Sequence, residues 1–241
     1  MAPQLRLPAA RRHRLRCPPL QDRCSRADHW LKPVIREYSE DDYQACEDLV
    51  GRTWQFSEHF RPAGFCDAAK FAYTRSSVAG SNFKRVVDHD GQVVGFLFGC
   101  NNRKPVDLGL LRQLLLSFGM LRRLLFVRGV RRGEKLALLR AISQHEVNRG
   151  TVEKRGASEI NLFALDQDFQ RQGLGRQLVM QFLDDCRRHG VRRVIVEVNV
   201  SQASGFYEKC GFAKIHDFVS PLHEMTAGQG SLAALYERHL A

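Results

Sequence analysis

The sequence predicts an α+β (mixed α/β) chain in which short strands and amphipathic helices are interleaved. Three observations carry this expectation. Residues 159–183 read as a short apolar strand, a glycine turn and a helix whose apolar residues Leu174, Leu178, Val179, Phe182, Leu183 and Cys186 recur at helical spacing. His89-Asp90-Gly91 separates two strand-like runs, and Asp-Gly is a strong hairpin signal. Val194 to Val198 reads Val-Ile-Val-Glu-Val, a β-branched run suited to a strand beside the first.

Taken in order, residues 34–38 (Val-Ile-Arg-Glu-Tyr) predict a strand, and Ser39 before Glu40, Asp41 and Asp42 predicts a capped helix start with an acidic first turn. Tyr43, Cys46, Leu49 and Val50 give that helix an apolar face. A second, less regular helical region is expected between His59 and Val78. Its surroundings hold Trp54, Phe56, Phe60, Phe65, Phe71 and Tyr73, which read either as core or as the lining of a substrate site. The hairpin strands are 83–88 and 92–98. After the glycine turn the helix runs to Gly190, a left-handed cap candidate, with Arg187, Arg188 and His189 in its last turn where cations suit the helix dipole. Residues 213–218 and 232–240 read as closing elements, with 221–230 as a loop between them.

A glycine turn between a strand and a helix N-terminus presents backbone N–H groups without helical partners, together with partial positive charge, and so suits an anion such as a diphosphate. Gly173 and Gly175 carry no Cβ, so a ligand can approach the backbone there; a purely structural turn is the alternative. Gln170-Arg171-Gln172-Gly173-Leu174-Gly175 fits a Gln/Arg-x-x-Gly-x-Gly/Ala signature, and Phe206-Tyr207-Glu208-Lys209-Cys210-Gly211-Phe212 follows downstream. With both motifs present, the chain resembles the GNAT superfamily of acetyl-CoA-dependent N-acetyltransferases, strongly over 157–218 and only in element order over 34–102.

The resemblance implies a GNAT fold, a central mixed and mostly antiparallel sheet flanked by helices, with acetyl-CoA as co-substrate and an amine as acceptor. Carried over by position, Phe163, Ala164 and Leu165 would align the pantetheine arm, and Gln170, Arg171, Gln172, Gly173, Leu174 and Gly175 with Arg176 would hold the diphosphate. Tyr207 would protonate the departing thiolate, a role that suits a phenol because its pKa of ~10 lies above that of a thiol at ~8.5. Glu159, fourteen residues ahead of Gly173, would be the general base, or else a surface residue at a strand end. The asparagine that many members carry seven residues before the tyrosine is replaced here by Val200, with Asn199 one position earlier, so Asn199 stands only as a substitute contact. Asp166 and Asp168 are expected to end the strand and cap the loop.

Charge is distributed unevenly. The net +11 arises from residues 1–33, with 8 Lys/Arg against 2 Asp, and from 103–155, with 13 Lys/Arg against 4 acids; the two remaining blocks are slightly acidic. Nothing resembling a nucleic-acid-binding motif accompanies the arginines, so no nucleic-acid partner is expected. Residues 1–33 form a basic, Arg- and Pro-rich extension expected to be disordered, with a transit peptide or an anion-binding tail as alternatives; 34–241 is the expected acetyltransferase domain.

Residues 103–155 are too many for a plain loop in a compact domain. Leu111, Leu114, Leu115, Phe118, Leu121 and Leu125 fall on one helical face, and Leu136, Leu139 and Ile142 suggest a second helix. Its uncharged run at 113–121 is about half of the ~20 residues that cross a bilayer. The insertion is expected to be a lid or wall of the acceptor pocket; a homodimer surface or a membrane-surface helix are the alternatives. Seven dispersed cysteines without a Cys-x-x-Cys pair read as reduced thiols of a cytoplasmic protein, and no metal is expected; His145-Glu146 lacks the second histidine of a zinc-protease helix. The expected activity is acetyl transfer to a primary amine of a small molecule, with a protein or peptide acceptor, or a non-catalytic acyl-CoA-binding module, as alternatives.

Overall fold

The computed structural model describes residues 32–105, 118–120, 122–123, 125–150, 156–227 and 232–241, and the compact unit runs Pro33–Ala241. The basic extension at 1–31 and Leu111, Leu114, Leu115 and Leu121 of the insertion lie outside the described residues.

Among the described residues the sheet has seven strands: β1 Val34–Glu37, β2 Phe83–His89, β3 Gln92–Cys100, β4 Ser158–Leu165, β5 Arg193–Asn199, β6 Ala213–Val219 and β7 Leu232–His239. Their order across the sheet is β1-β2-β3-β4-β5-β7-β6, antiparallel except for β4 against β5. This is the mixed, mostly antiparallel sheet that was expected. The helices with both ends among the described residues are α1 Tyr43–Thr53, α2 Phe56–His59, α3 Ala63–Ala79, α4 Arg132–Arg149, α5 Leu174–Arg188, α6 Val200–Lys209 and α7 Pro221–Ala227. Ser39 and Asp42 form a capping box, and Asp90 and Gly91 take the positive φ values that join β2 to β3.

Two apolar layers cover the two faces of the sheet. Leu174, Leu178, Val179, Phe182 and Leu183 of α5 pack with Val194, Val196 and Val198 of β5 and with Tyr207 and Phe212. On the other face, Cys46, Leu49 and Val50 of α1 and Phe65 and Val78 of α3 pack with Phe96, Phe98, Leu162 and Ala164, and Leu138 of α4 joins them.

β4 contributes to both layers because of a single irregularity. Phe98 pairs with Leu162 but Gly99 pairs with Ile160, so Asn161 is an extra residue in the ladder. Its side chain is held by Gly80 O at 3.0 Å and Ser81 Oγ at 2.9 Å. Since side chains alternate along a strand, one added residue reverses which parity faces which layer. Ile160 therefore packs under α5, whereas Leu162 and Ala164 pack under α1 and α3, and Phe163 and Leu165 return to the α5 side.

The insertion carries α4 as expected, but its buried stripe is Leu138, Ala141 and His145; Leu136 and Ile142 face solvent and Leu139 is half-buried. Residues 221–227, expected as loop, form α7. Ser220 Oγ accepts the His223 N–H at 3.0 Å as a cap and Pro221 occupies the first helical position, where a missing N–H costs nothing. Among the described residues no helix is long and apolar enough to cross a membrane.

Candidate active site

The parallel ladder between β4 and β5 is short. It runs from Ser158 opposite Val194 to Ile160 opposite Val196, after which β4 continues to Leu165 beside β3 and β5 continues to Asn199 beside β7. The two strands thus form a fork at the centre of the sheet. Past Ile160 the edge of β4 that faces β5 has no ladder, and Phe163, Ala164 and Leu165 lie along it.

On the α5 side of the fork, Asp166 caps the turn after β4 by accepting the Asp168 N–H, as expected for these two residues. Gln170 Nε2 donates to Leu165 O at 3.1 Å and Gln172 Nε2 to Asp168 O at 3.0 Å, so both glutamines tie the loop to itself. Arg171 (φ 62°) and Gly173 (φ 82°) take left-handed conformations that turn the chain into α5. The first α5 hydrogen bond is donated by Gln177 N to Gly173 O, so the amides of Leu174, Gly175 and Arg176 precede the intrahelical ladder.

The two glycines serve different ends. A Cβ on Gly173 would meet nothing nearer than Gln177 at 3.9 Å, so its need is conformational. A Cβ on Gly175 would lie 3.1 Å from Phe163 Cζ and 3.4 Å from the Phe206 ring. These rings stack at 5.4 Å, so Gly175 provides for the packing of α5 on β4 and α6. Beside the loop, Arg176, Lys209 and Arg238 line a cleft of about 170 Å³ with Met180, Cys210 and Gly211.

The opposite side of the fork is crowded with ionisable groups. Glu197, the first β5 residue past the ladder, is flanked by His223 Nε2 of α7 at 3.1 Å, His145 Nε2 of α4 at 3.5 Å and Arg149 Nε of α4 at 2.6 Å. Arg149 Nη2 hydrogen-bonds Glu159 of β4. His145 Nδ1 lies 2.9 Å from Ser220 Oγ. Burial opposes ionisation of Glu197, but its histidine and arginine neighbours outweigh that and hold its carboxyl well below the usual range.

Tyr207 sits in the α5-side layer with only 4% exposure. Burial pushes its phenol well above the usual tyrosine range, with smaller contributions from Cys210 and Tyr73. Burial, and then the Glu197 charge, push the Tyr73 phenol of α3 up as well. Of the aromatics considered as site lining, Phe56, Phe60 and Phe65 are core, and Trp54 and Tyr73 pack against that core.

The structure thus brings Phe163, the glycine loop, Gly175 and Tyr207 to one side of the fork and Glu159 to the other. Asn199 ends β5 opposite Ala233, at the same parity as Glu197. Sequence reasoning missed Glu197, His145, Arg149 and His223. The signal for Glu197 was present, a lone charge in a β-branched run that otherwise reads as buried strand.

Residues 34–212 match the acetyltransferase (GNAT) family. A segment of 58 residues is 43% identical to the ribosomal protein bS18-alanine N-acetyltransferase of Escherichia coli (strain K12), covering 22% of this chain and 39% of that protein. The protein so named in Salmonella typhimurium is 33% identical over 84 residues, 33% of this chain and 57% of that one. The chain thus spans about two fifths to three fifths of the length of the curated relatives it matches. The solved structure of SsHAT shares the fold with a TM-score of 0.60 at 22% identity, over 87% of this chain and 98% of that one. The match over 34–212, on a forked sheet of this topology, shows that the chain belongs to the acetyltransferase (GNAT) family.

Proposed function

We propose that this enzyme acetylates a primary amine on a small molecule at the β4–β5 fork, with Glu197 as the carboxylate that receives the acceptor. The observation that carries this reading is the placement of Glu197: a half-buried carboxylate, kept ionised by its basic neighbours, at the first position where the two strands part, walled by α4 and α7. Such confinement favours a compact amine over a protein segment, which needs an open groove.

The α5 side suits the co-substrate. The amides at the start of α5 and the side chains of Arg171 and Arg176 offer donors and charge to a diphosphate, and the cleft between Arg176, Lys209 and Arg238 extends the positive surface. The unpaired edge of β4 at Phe163, Ala164 and Leu165 offers backbone groups to an amide-bearing arm, which would supply the thioester to the fork.

An alkylammonium has a pKa near ~10, so the enzyme must take a proton before the nitrogen can attack. Glu197 holds the ammonium, and the His223 imidazole, its Nε2 3.1 Å from that carboxylate, is the adjacent group that accepts the proton. A new C–N bond then forms as the C–S bond breaks, the thiolate takes its proton from Tyr207, which burial keeps in the phenol form, and the acylated nitrogen gives up its second proton to restore that phenol. Glu159, expected as the base, stands one ladder step behind the fork opposite Ile195 and binds Arg149; its role in this reading is to anchor that arginine.

The test is thiol release from acetyl-CoA across a panel of small primary amines and a peptide with a free N-terminus. The reading expects release with small amines and little with the peptide. Faster release with the peptide would replace the acceptor class.

A further inference from the structure

We infer that the acceptor carries a carboxylate beside its amine, as an α-amino acid does, and that Arg149 binds this carboxylate while Glu197 takes the ammonium. The inference rests on the function proposed above and names the acceptor class of that site. It starts from the mixed charge of the acceptor side, which holds Glu159 and Glu197 against Arg149, His145 and His223, with the more exposed Glu146 at the margin. A site built for a simple cation would present carboxylates alone. Here every carboxylate at the fork already has a basic partner, and Glu197 has three.

The contacts of Arg149 are unequal in a way that fits this role. Nη2 is hydrogen-bonded to Glu159, which fixes the guanidinium from behind the fork. Nε lies 2.6 Å from Glu197 Oε2, yet it is buried without an aligned hydrogen bond, so that contact is held by charge more than by geometry. Nη1 lies 4.0 Å from Glu146 Oε2, beyond hydrogen-bond reach. A planar guanidinium has five donors arranged to meet a carboxylate with two of them. Arg149 is thus anchored at Nη2, while Nε, beside Glu197, and Nη1 make no hydrogen bond among the described residues.

An ammonium arriving alone at Glu197 would meet the Arg149 charge on the same carboxylate, a like-charge encounter in a site largely closed to water. A zwitterion removes the conflict, because its ammonium replaces Arg149 at Glu197 while its carboxylate takes up the released guanidinium. The net charge of the cluster is then unchanged on binding. Arg149 closes α4 within the insertion at 103–155, so the segment that most departs from a plain core supplies the specificity-determining residue.

The experiment compares kcat/KM for α-amino acids and for the matching decarboxylated amines, in the full chain and in Arg149→Gln and Arg149→Lys. The expected result is a preference for the amino acid of about tenfold or more in the unaltered enzyme, the size of a charge-assisted pair. In Arg149→Gln that preference collapses through the KM of the amino acid, while the KM of acetyl-CoA is unchanged. Arg149→Lys retains part of it. Equal kcat/KM for amino acid and amine, or an undiminished preference in Arg149→Gln, overturns the inference and leaves acetyl transfer to amines standing. Absence of thiol release with every acceptor overturns the underlying function as well. Should Arg149→Gln fail to fold, the ratio in the unaltered enzyme and in Arg149→Lys still decides.

Discussion

The two sides of the β4–β5 fork are built in opposite ways. The α5 side comes from two contiguous stretches, 163–176 and 206–212, whose residues are neighbours in sequence as well as in space. The acceptor side is assembled from His145, Arg149, Glu159, Glu197 and Ser220 with His223, drawn from strands, helices and a turn spread along the chain. In the proposed reading the first side binds a moiety with fixed chemistry through backbone and glycine geometry. The second then discriminates among acceptors through side-chain charge. A contiguous site leaves a spacing pattern, whereas a dispersed one becomes visible only when the sheet register is known.

The sharpest way to break this comparison is to remove the charge at the centre of the acceptor side. Glu197→Gln keeps the shape, and kcat/KM for the acceptor is expected to fall by about 10²–10³, the cost of leaving a sequestered ammonium without its charged partner, with KM for acetyl-CoA little changed. Glu159→Gln should cost less. If steady-state kinetics instead showed the larger loss at Glu159, the carboxylate that receives the ammonium would lie behind the fork. Next in size is Tyr207→Phe, expected to lower kcat by roughly a hundredfold while leaving the melting temperature near its original value, because a buried ring of nearly the same shape remains. Undiminished turnover would place the proton donor elsewhere.

How far the sequence was legible follows the same division. The strand at 158–165, the helix ending at Gly190 and the hairpin at Asp90-Gly91 were readable because periodicity and turn chemistry are local. Gly175 was readable as necessary but not for its reason: the pattern suggested ligand approach, while the geometry shows the Phe163–Phe206 stack in the place of its Cβ. The extra residue at Asn161 reverses the facing of β4, and no alternation rule anticipates it. His145 was read against a zinc motif and set aside, yet it lies on the buried stripe of α4 facing a strand residue fifty-two positions on. The leucines of α4 misled in the same way, since Leu136 and Ile142 stay exposed while Leu138 and Ala141 pack.

A smaller effect tests whether the acceptor side is also structural. Ser220 is fully buried and its hydroxyl serves both the His145 ring and the His223 N–H. Ser220→Ala removes a helix cap and leaves a buried ring nitrogen without its partner, about 2 kcal/mol together. In a chain of this size that corresponds to a melting temperature lower by roughly 4–8 °C, measurable by scanning calorimetry. A shift under a degree would mean that α7 is held by its packing alone.

The mildest test separates the two glycines of the loop. Gly173→Ala places a side chain at φ 82° in open space, so its cost is purely conformational, about 1 kcal/mol. The substitution also resists the turn that aims the first α5 amides, so acetyl-CoA binding by calorimetry should weaken by several-fold, about the same energy. Gly175→Ala keeps an allowed helical φ and meets two aromatic rings at 3.1 and 3.4 Å, which must yield by a few tenths of an ångström. Phe163 and Phe206 are only half-buried and can slide together, so the expected loss of stability is at most ~1 kcal/mol, with binding less affected than in Gly173→Ala. If Gly175→Ala instead abolished binding while Gly173→Ala did not, backbone approach at Gly175 would outweigh its packing role, and the α5 side would depend on ligand contact where the geometry shows aromatic support.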